Sequence, residues 1–195
     1  MPTSLSAETI LSVALSELGA PPISSFSDPL AIEKNFENTY TIAKRTLLTD
    51  SFWKFALREQ DLARLSGHGS DYSLQLKYAY ARPTDLLRDV GLRSRQPYEI
   101  AGNELYTDDS RPQLLYLADV PESFFSAFFV DALKYELAAR LAIPITERTE
   151  RAEFFERKAE QALNRARGRD AMSATARSLE PQLDRAMSRW PTGRR

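Results

Sequence analysis

PESFFSAFFVDALKYELAARLAIP spans residues 121 to 144 and is the longest apolar helical pattern of the chain. A proline stands at each end, and proline is a residue type that marks helix boundaries. At about 100° per residue, the apolar side chains fall on two faces of the predicted helix. One face carries Phe124, Phe128, Ala132, Tyr135, Ala139 and Ala142, and the other carries Val130, Leu133, Leu137 and Leu141. Such a helix lies inside a helical cluster, or packs its own core on one face and a second subunit on the other.

Composition restricts the possible chemistry. The 195 residues suffice for one sizeable core, and they include no cysteine and a single histidine, His68. Disulfide frameworks, cysteine nucleophiles and metal sites built on several histidines are therefore excluded. Neither G-x-x-x-x-G-K-[ST] nor G-x-G-x-x-G occurs, so no nucleotide-binding loop is predicted. The N-terminus has no signal-peptide pattern and no apolar run is long enough to span a bilayer, so we expect a soluble, unexported protein without a membrane anchor.

Two helices are predicted before residue 50. Ser6 is a good N-cap for the first, and Gly19 supplies the left-handed residue that ends it. Asp28 is a good cap for the second, with Pro29 at its first position. We expect this second helix to run without interruption to about Leu48.

A β section is predicted in the middle of the chain. Trp53, Phe55 and Leu57 alternate with other residues, which is typical of a half-buried strand. Ala101, Gly102 and Asn103 separate two short runs, and the glycine and the asparagine provide the positive φ angles of a tight hairpin. Together with the neighbouring runs, up to residue 117, these patterns predict an antiparallel meander of about five short strands.

The last long helix is predicted to begin at a Thr146 cap. Its apolar stripe has nearly heptad spacing and consists of Ala152, Phe155, Ala159, Ala162 and Ala166.

Beyond Gly168 the pattern weakens. From Arg165 to Arg195 there are eight arginines and three acids, a net charge of +5, so residues 1 to 164 carry −6 of the total of −1. Because this terminal segment has little apolar surface, we expect residues 169–195 to order only on docking to a partner.

No side chain stands out as catalytic. Asp108 and Asp109 are interpreted as turn residues rather than a metal site, because adjacent aspartates in a strand point to opposite faces. His68 lies between two glycines and is interpreted as an exposed loop residue. Glu136 is the best candidate for the protonated carboxyl of a glycosidase, but the sequence identifies no second carboxylate for it. We therefore predict no catalytic residue, no cofactor and no metal.

The order of several segments resembles the tail tubular protein A family, the head-to-tail adaptors of short-tailed bacteriophages. The resemblance is collinear over roughly residues 5 to 165. It is carried by ALSELGAPPISSFSDP (14–29), LLTDSFWKFAL (47–57), YAYARPTDLLR (78–88), YEIAGNELYTD (98–108) and LLYLADVPESFFSAFFVDALKYELAARLAIPIT (114–146). The chain departs from the family at Lys54, where asparagine is more common, and at Arg82, where an apolar residue is common. Both departures could alter a contact with a neighbouring subunit.

The resemblance implies an α+β fold in which a helical bundle carries a small antiparallel β insertion. The bundle would comprise residues 1–50 and 119–168, the insertion residues 51–118, and the docking tail residues 169–195. The implied function is that of a non-enzymatic virion component, assembled in the host cytoplasm. It would form a ring of twelve copies between the portal protein and a tail nozzle similar to tail tubular protein B. The genome would leave through its channel, without sequence-specific binding of the DNA.

The candidate partner interface combines the second face of the central helix with the basic end of the chain. On docking to the portal, apolar residues of the tail would bury while arginines pair with acidic groups. The set is Val130, Leu133, Leu137, Leu141, Arg165, Arg167, Arg169, Arg177, Leu179, Leu183, Arg185, Arg189 and Trp190.

Two alternative functions stay open at this point. One is a peptidoglycan-degrading tail accessory protein that uses Glu136 as its acid. The other is a DNA-binding accessory protein that acts through Arg165, Arg167, Arg169 and Arg177, for which we expect steeply salt-dependent binding to duplex DNA.

Overall fold

The structure is a computed structural model and describes residues 5–66 and 76–172. These residues form five α-helices and two antiparallel sheets of three strands each, so the expected α+β class is confirmed. The helices are α1 (Ala7–Glu17), α2 (Pro29–Glu33), α3 (Phe36–Asp50), α4 (Ala127–Thr146) and α5 (Thr149–Met172). The strands are β1 (Leu57–Asp61), β2 (Tyr78–Ala81), β3 (Leu86–Leu92), β4 (Tyr98–Ala101), β5 (Glu104–Thr107) and β6 (Gln113–Ala118). Among the described helices, none is both long and apolar enough to cross a membrane.

The described residues divide into two compact units. A helical unit contains residues 5–55 and 120–172, and a β unit contains residues 56–66 and 76–119. Within residues 5–66 and 76–172, the chain passes into the β unit after α3 and returns to the helical unit before α4.

Helix α4 is the centre of the helical unit and packs against α5, α1 and α3. The five predicted stripe residues of α5, from Ala152 to Ala166, are all buried. In the first turn of α5, the Arg151 guanidinium donates to the carbonyl of Leu18, 2.8 Å away, and so satisfies an acceptor at the C-terminus of α1. Helix α1 has the predicted ends: the Ser6 hydroxyl accepts from the backbone N–H of Thr9, and Gly19 has φ +77°.

The boundaries of α4 differ from the prediction at both ends. Ser126 rather than Pro121 is the N-cap, since its hydroxyl accepts from the N–H of Phe129 at 3.2 Å. Pro144 lies inside the last turn of α4 instead of ending it. A proline so close to a helix end removes one backbone hydrogen bond, and α4 stops two residues later, where Glu147 adopts a left-handed conformation. Thr146 is consequently part of α4 and is not the cap of α5.

The single helix predicted from Pro29 to Leu48 is divided into α2 and α3. Asn35 lies between them with φ 55° and ψ 44°, a left-handed conformation that asparagine tolerates better than most residues. The break turns the chain, and Phe36 and Tyr40 at the start of α3 become buried.

The strands of the β unit do not form a meander, so that expectation was wrong. Their orders are β1-β6-β3 in one sheet and β2-β5-β4 in the other, and β6, the last of the described strands, lies in the middle of the first sheet. Lys54–Ala56 form a 3₁₀ turn, and the first strand begins only at Leu57. The β4–β5 hairpin forms where it was predicted, but Ala101 belongs to β4, the loop is only Gly102 and Asn103, and Gly102 alone takes a positive φ, of 58°.

One segment of the β unit belongs to both sheets. Residues 57–61 pair with β6. The chain then continues along β2, where the N–H of Leu65 donates to the carbonyl of Ala79 and the N–H of Ala81 donates to the carbonyl of Ala63, each at 2.9 Å. Residues 57–65 thus pair first with one sheet, through β1, and then with the other, through the isolated bridge of Arg64 with Tyr80.

Candidate interaction surface

The second face of the central helix lies in the interior of the helical unit. Leu133 and Leu137 are fully buried, and Leu141 is 1% exposed. The proposal that these three leucines form a partner interface was therefore wrong, because α1, α3 and α5 cover α4 on several sides. Of the four residues predicted on that face, only Val130 is partly exposed.

The exposed apolar surface of α4 lies at its start instead. Phe124 and Phe128 are 48% and 45% exposed, although the helical pattern placed them on a core face. Phe125 and Phe129 are buried in their place. Phe124 is out of the helical phase because it belongs to a separate 3₁₀ turn, whereas Phe128 lies in the first turn of α4 and is exposed there.

Phe129 belongs to an aromatic cluster that fixes the start of α4. Its ring lies 5.1 Å from the rings of Trp53 and Phe55 and 4.7 Å from that of Phe125, all in edge-to-face geometry. Trp53 is fully buried, and its indole N–H donates to the carbonyl of Leu47 at 2.7 Å. The cluster leaves Phe128, one position earlier, on the outside.

A groove of about 200 Å³ runs between α1 and the first turns of α4. Most of its lining is apolar, and Asp131 and Lys134 are its charged members: Leu5, Thr9, Ile10, Val13, Ala127, Val130, Asp131 and Lys134. Val13 is 46% exposed, so the apolar lining is open to solvent. Val130 is the one residue of the sequence-based interface that contributes to it.

Lys134 forms the charged edge of this groove. Its ammonium is 2.9 Å from the Asp131 carboxylate, 3.4 Å from that of Glu17 and 4.1 Å from the centre of the Tyr135 ring. Burial acts to lower the pKa of Lys134, but the hydrogen bonds and charges of Asp131 and Tyr135 outweigh it, and the pKa is raised. The lysine is therefore held as a cation that joins α4 to α1.

The C-terminal end of α5 is tied to the segment before the β unit. The Lys54 ammonium donates to the backbone carbonyls of Asp170 and Ala171, and the backbone N–H of Lys54 donates to the Asp170 carboxylate at 3.2 Å. Arg167 forms an ion pair with Asp50. These positions carry no motif, and the partners are more than 100 residues apart, so sequence reasoning missed them.

Both departures from the family pattern make contacts inside the chain. Lys54 caps α5, as described, and the Arg82 guanidinium donates to the carbonyls of Gly102, at 3.0 Å, and Leu86, at 3.3 Å. Each of the two side chains thus has hydrogen-bond acceptors within its own chain.

The basic residues predicted to contact a partner have different surroundings. Arg165 is exposed, Arg167 is paired with Asp50, and the Arg169 guanidinium lies 5.4 Å from the centre of the Phe128 ring. The other predicted positions lie outside the described residues: Arg177, Leu179, Leu183, Arg185, Arg189 and Trp190. His68 lies outside them as well.

The acidic candidates have backbone or ion-pair partners. Glu136 accepts from Arg140 one turn later at 2.7 Å, which is not the apolar environment that a protonated catalytic acid requires. Asp108 accepts from the N–H of Lys77, and Asp109 accepts from that of Arg111, each at 2.9 Å, as turn residues do. Within residues 5–66 and 76–172, no three acidic or histidine side chains converge in the way a metal site requires.

Neither a scan of protein families nor a search of curated proteins returned a match.

Proposed function

We propose that this chain is a structural adaptor of a short-tailed bacteriophage, joining the portal protein to the tail nozzle as a ring. The observation that carries the proposal is the collinear resemblance to the tail tubular protein A family over roughly residues 5 to 165. The chain course supports it, because that family's architecture places a β insertion between N- and C-terminal helices. Here the helical unit is likewise built from residues 5–55 and 120–172.

We further propose that α1, α3, α4 and α5 form the bundle of that family, with α4 at its centre. The contacts of α4 with the other three helices and the buried small residues of α5 support this arrangement. Alanines at Ala152, Ala159 and Ala166 allow the two longest helices to approach closely along their length.

The decisive experiment is a mass measurement of the purified chain, alone and with the portal protein encoded in the same genome. A ring of twelve copies of a 22.1 kDa chain has a mass of roughly 265 kDa. We expect that mass for the chain alone, or a complex with twelve copies bound to each portal ring. A chain that stays monomeric and does not associate with the portal at any concentration contradicts the proposal.

A truncated chain that ends at Met172 is the matched control for the docking tail. It retains every described helix and the Lys54 contacts at the end of α5. If residues 173–195 bind the portal through Leu179, Leu183 and Trp190, truncation abolishes attachment to the portal. A truncated chain that still joins the portal normally shows that the docking element lies elsewhere.

A further inference from the structure

Helix α5 carries three cations along one side. Lys158, Arg165 and Arg169 fall within about 40° of one another around the helix axis and extend over about 16 Å along it. Arg165 and Arg169 are exposed, and Lys158 is partly buried. We call these three residues the basic stripe.

Aromatic rings of α4 and α5 lie beside the basic stripe. The Arg169 guanidinium is 5.4 Å from the centre of the Phe128 ring. The Lys158 ammonium is 5.1 Å from the centre of the Tyr135 ring and 4.8 Å from that of Phe154. Phe128 and Phe154 are 45% and 46% exposed, so the basic stripe is accompanied by open apolar surface.

Three acids occupy the opposite side of the same helix. Glu153, Glu156 and Glu160 are all exposed, and their mean direction around the helix axis is about 165° from that of the basic stripe. We call these three residues the acidic stripe. The buried residues of α5 point between the two stripes on one side, and the exposed Arg157 points between them on the other.

Both stripes lack ion pairs within residues 5–66 and 76–172. The ion pairs described for the helical unit involve none of the six side chains of the two stripes. Like charges along one side of a helix repel one another and attract a surface of opposite sign. The acidic stripe presents three carboxylates over about 10 Å and is such a surface for the cations of another copy.

We propose that the acidic stripe of one copy docks on the basic stripe of a second copy. Charge complementarity selects this occupant, because each stripe carries three charges that the other can pair. Docking also covers the exposed rings of Phe128 and Phe154. The burial of these rings adds binding energy to ion pairs that are weak when exposed to solvent.

The arrangement of the stripes makes the contact head-to-tail. Because the two stripes face in nearly opposite directions, a copy that docks through its acidic stripe keeps its own basic stripe open for a third copy. A two-fold dimer cannot use both stripes in one interface. The inference rests on the proposed adaptor ring for the number of copies, and it names the charges that join neighbouring copies.

Charge reversal tests the proposal in the free chain. One variant carries Arg165→Glu and Arg169→Glu, and the other carries Glu156→Arg and Glu160→Arg. We expect each variant alone to associate at least tenfold more weakly than the natural chain in analytical ultracentrifugation, because its two stripes then have net charges of the same sign. An equimolar mixture of the two variants should recover the association of the natural chain, with the variants alternating.

A matched control reverses two cations outside the stripes. Lys34→Glu with Arg148→Glu makes the same change in net charge as the variant of the basic stripe. We expect this control to associate as strongly as the natural chain. An equal loss in the control shows that net charge, rather than the basic stripe, governs association, and it overturns the proposal.

Disulfide formation between single-cysteine variants gives a second readout that needs no charge reversal, since the natural sequence contains no cysteine. We expect a mixture of Glu156→Cys and Arg165→Cys chains to form the mixed dimer at least tenfold faster than either variant forms its own dimer. Equal rates for the three dimers overturn the proposal.

Three further results overturn this inference. One is undiminished association of either charge-reversed variant alone. Another is a natural chain that stays monomeric but binds duplex DNA in a manner that Arg165→Glu abolishes, which shows that nucleic acid occupies the basic stripe. The third is a chain that is monomeric when free and still forms a complex of twelve copies with the portal protein, a result that leaves the adaptor function intact.

Discussion

The ammonium group of Lys54 lies 2.9 Å from the carbonyl oxygen of Ala171, and it also donates to the neighbouring carbonyl of Asp170. Carbonyls in the last turn of a helix have no partner within the helix, and a cation there interacts favourably with the helix dipole. We therefore expect Lys54→Ala to lower the free energy of unfolding by about 1–2 kcal/mol, measured by urea denaturation.

Two companion variants separate charge from packing at this position. Lys54→Met keeps the apolar stem, so a loss as large as that of the alanine variant identifies the ammonium as the stabilising group. Lys34→Ala, which removes a lysine paired only with the adjacent Glu33, should change the stability by no more than about 0.5 kcal/mol. If Lys54→Ala lowers the free energy of unfolding no more than Lys34→Ala does, the hydrogen bonds of Lys54 to the end of α5 contribute nothing measurable to stability.

The carboxyl of Asp170 should lower the stability of the fold as the pH rises, which is the opposite of the usual effect of an aspartate. Burial raises the pKa of its carboxyl above the ordinary 3.8, against the opposing effects of the Lys54 backbone bond and charge. A raised folded pKa contributes stability that is fully present below 3.8 and is lost as the pH rises through the folded value. We therefore expect the stability of Asp170→Asn, relative to the natural chain, to improve between pH 3 and pH 6 in denaturation experiments.

Asp28 provides a control of opposite direction. Hydrogen bonds from the backbone of Ser24 and Ser25 lower its pKa below 3.8, so its contribution is present above 3.8 and is lost as the pH falls through the folded value. The stability of Asp28→Asn relative to the natural chain should accordingly worsen over the same rise in pH. If the relative stabilities of the two variants change in the same direction as the pH rises, the opposite pKa shifts assigned to Asp28 and Asp170 are wrong.

Leu137 tests whether the interior of the helical unit is formed within one chain. Its side chain is fully buried, and truncation to alanine leaves a cavity in α4's packing. We expect Leu137→Ala to destabilise the isolated chain by about 2–5 kcal/mol. Ile143→Ala, on the same helix but 51% exposed, should have a much smaller effect on the melting temperature. An unaltered melting temperature for Leu137→Ala shows that the face is not part of the monomer core.

Tyr116 tests how much a buried side-chain hydrogen bond stabilises the β unit. Its hydroxyl lies 3.0 Å from both the Gln60 side-chain oxygen and the Asp85 carboxylate. Burial, followed by the hydrogen bond to Asp85, raises the pKa of Tyr116 to about 12. Tyr116→Phe should lose about 1–2 kcal/mol at neutral pH, a difference that disappears as the pH rises from 10 through about 12. In a pH titration followed by ultraviolet absorbance, the Tyr116→Phe variant should lack the tyrosine that ionises near pH 12. A titration curve identical to that of the natural chain contradicts the assignment.

Local patterns in the sequence predict local structure well in this chain. The Ser6 cap, the Gly19 terminus, the β4–β5 hairpin loop and the buried stripe of α5 depend on residues within a few positions of one another. The break at Asn35 escaped this reasoning, because a left-handed asparagine inside an apparently continuous helical pattern is compatible with the same residue types.

The candidate interface was predicted less well for a physical reason. Periodicity indicates that α4 is apolar on two sides, but it does not say whether a neighbouring helix or a second subunit covers each side. Leu137 is covered within the chain, whereas Phe128, in the first turn of the same helix, is nearly half exposed. Contacts such as Arg167 with Asp50 join residues far apart in sequence and leave no local signature.

The segment from Leu57 to Leu65 pairs first with β6 and then, through the isolated bridge of Arg64, with β2, so we expect the amide protons of both sheets to exchange in a single opening event. Residues 57–61 pair with β6, and the next few residues pair with β2, so detaching the segment from one partner disturbs its pairing with the other. Units that open together share one exchange free energy. In native-state hydrogen exchange, the amides of β6 and β2 should therefore converge on a common isotherm as denaturant is added, and the β unit should behave as one foldon.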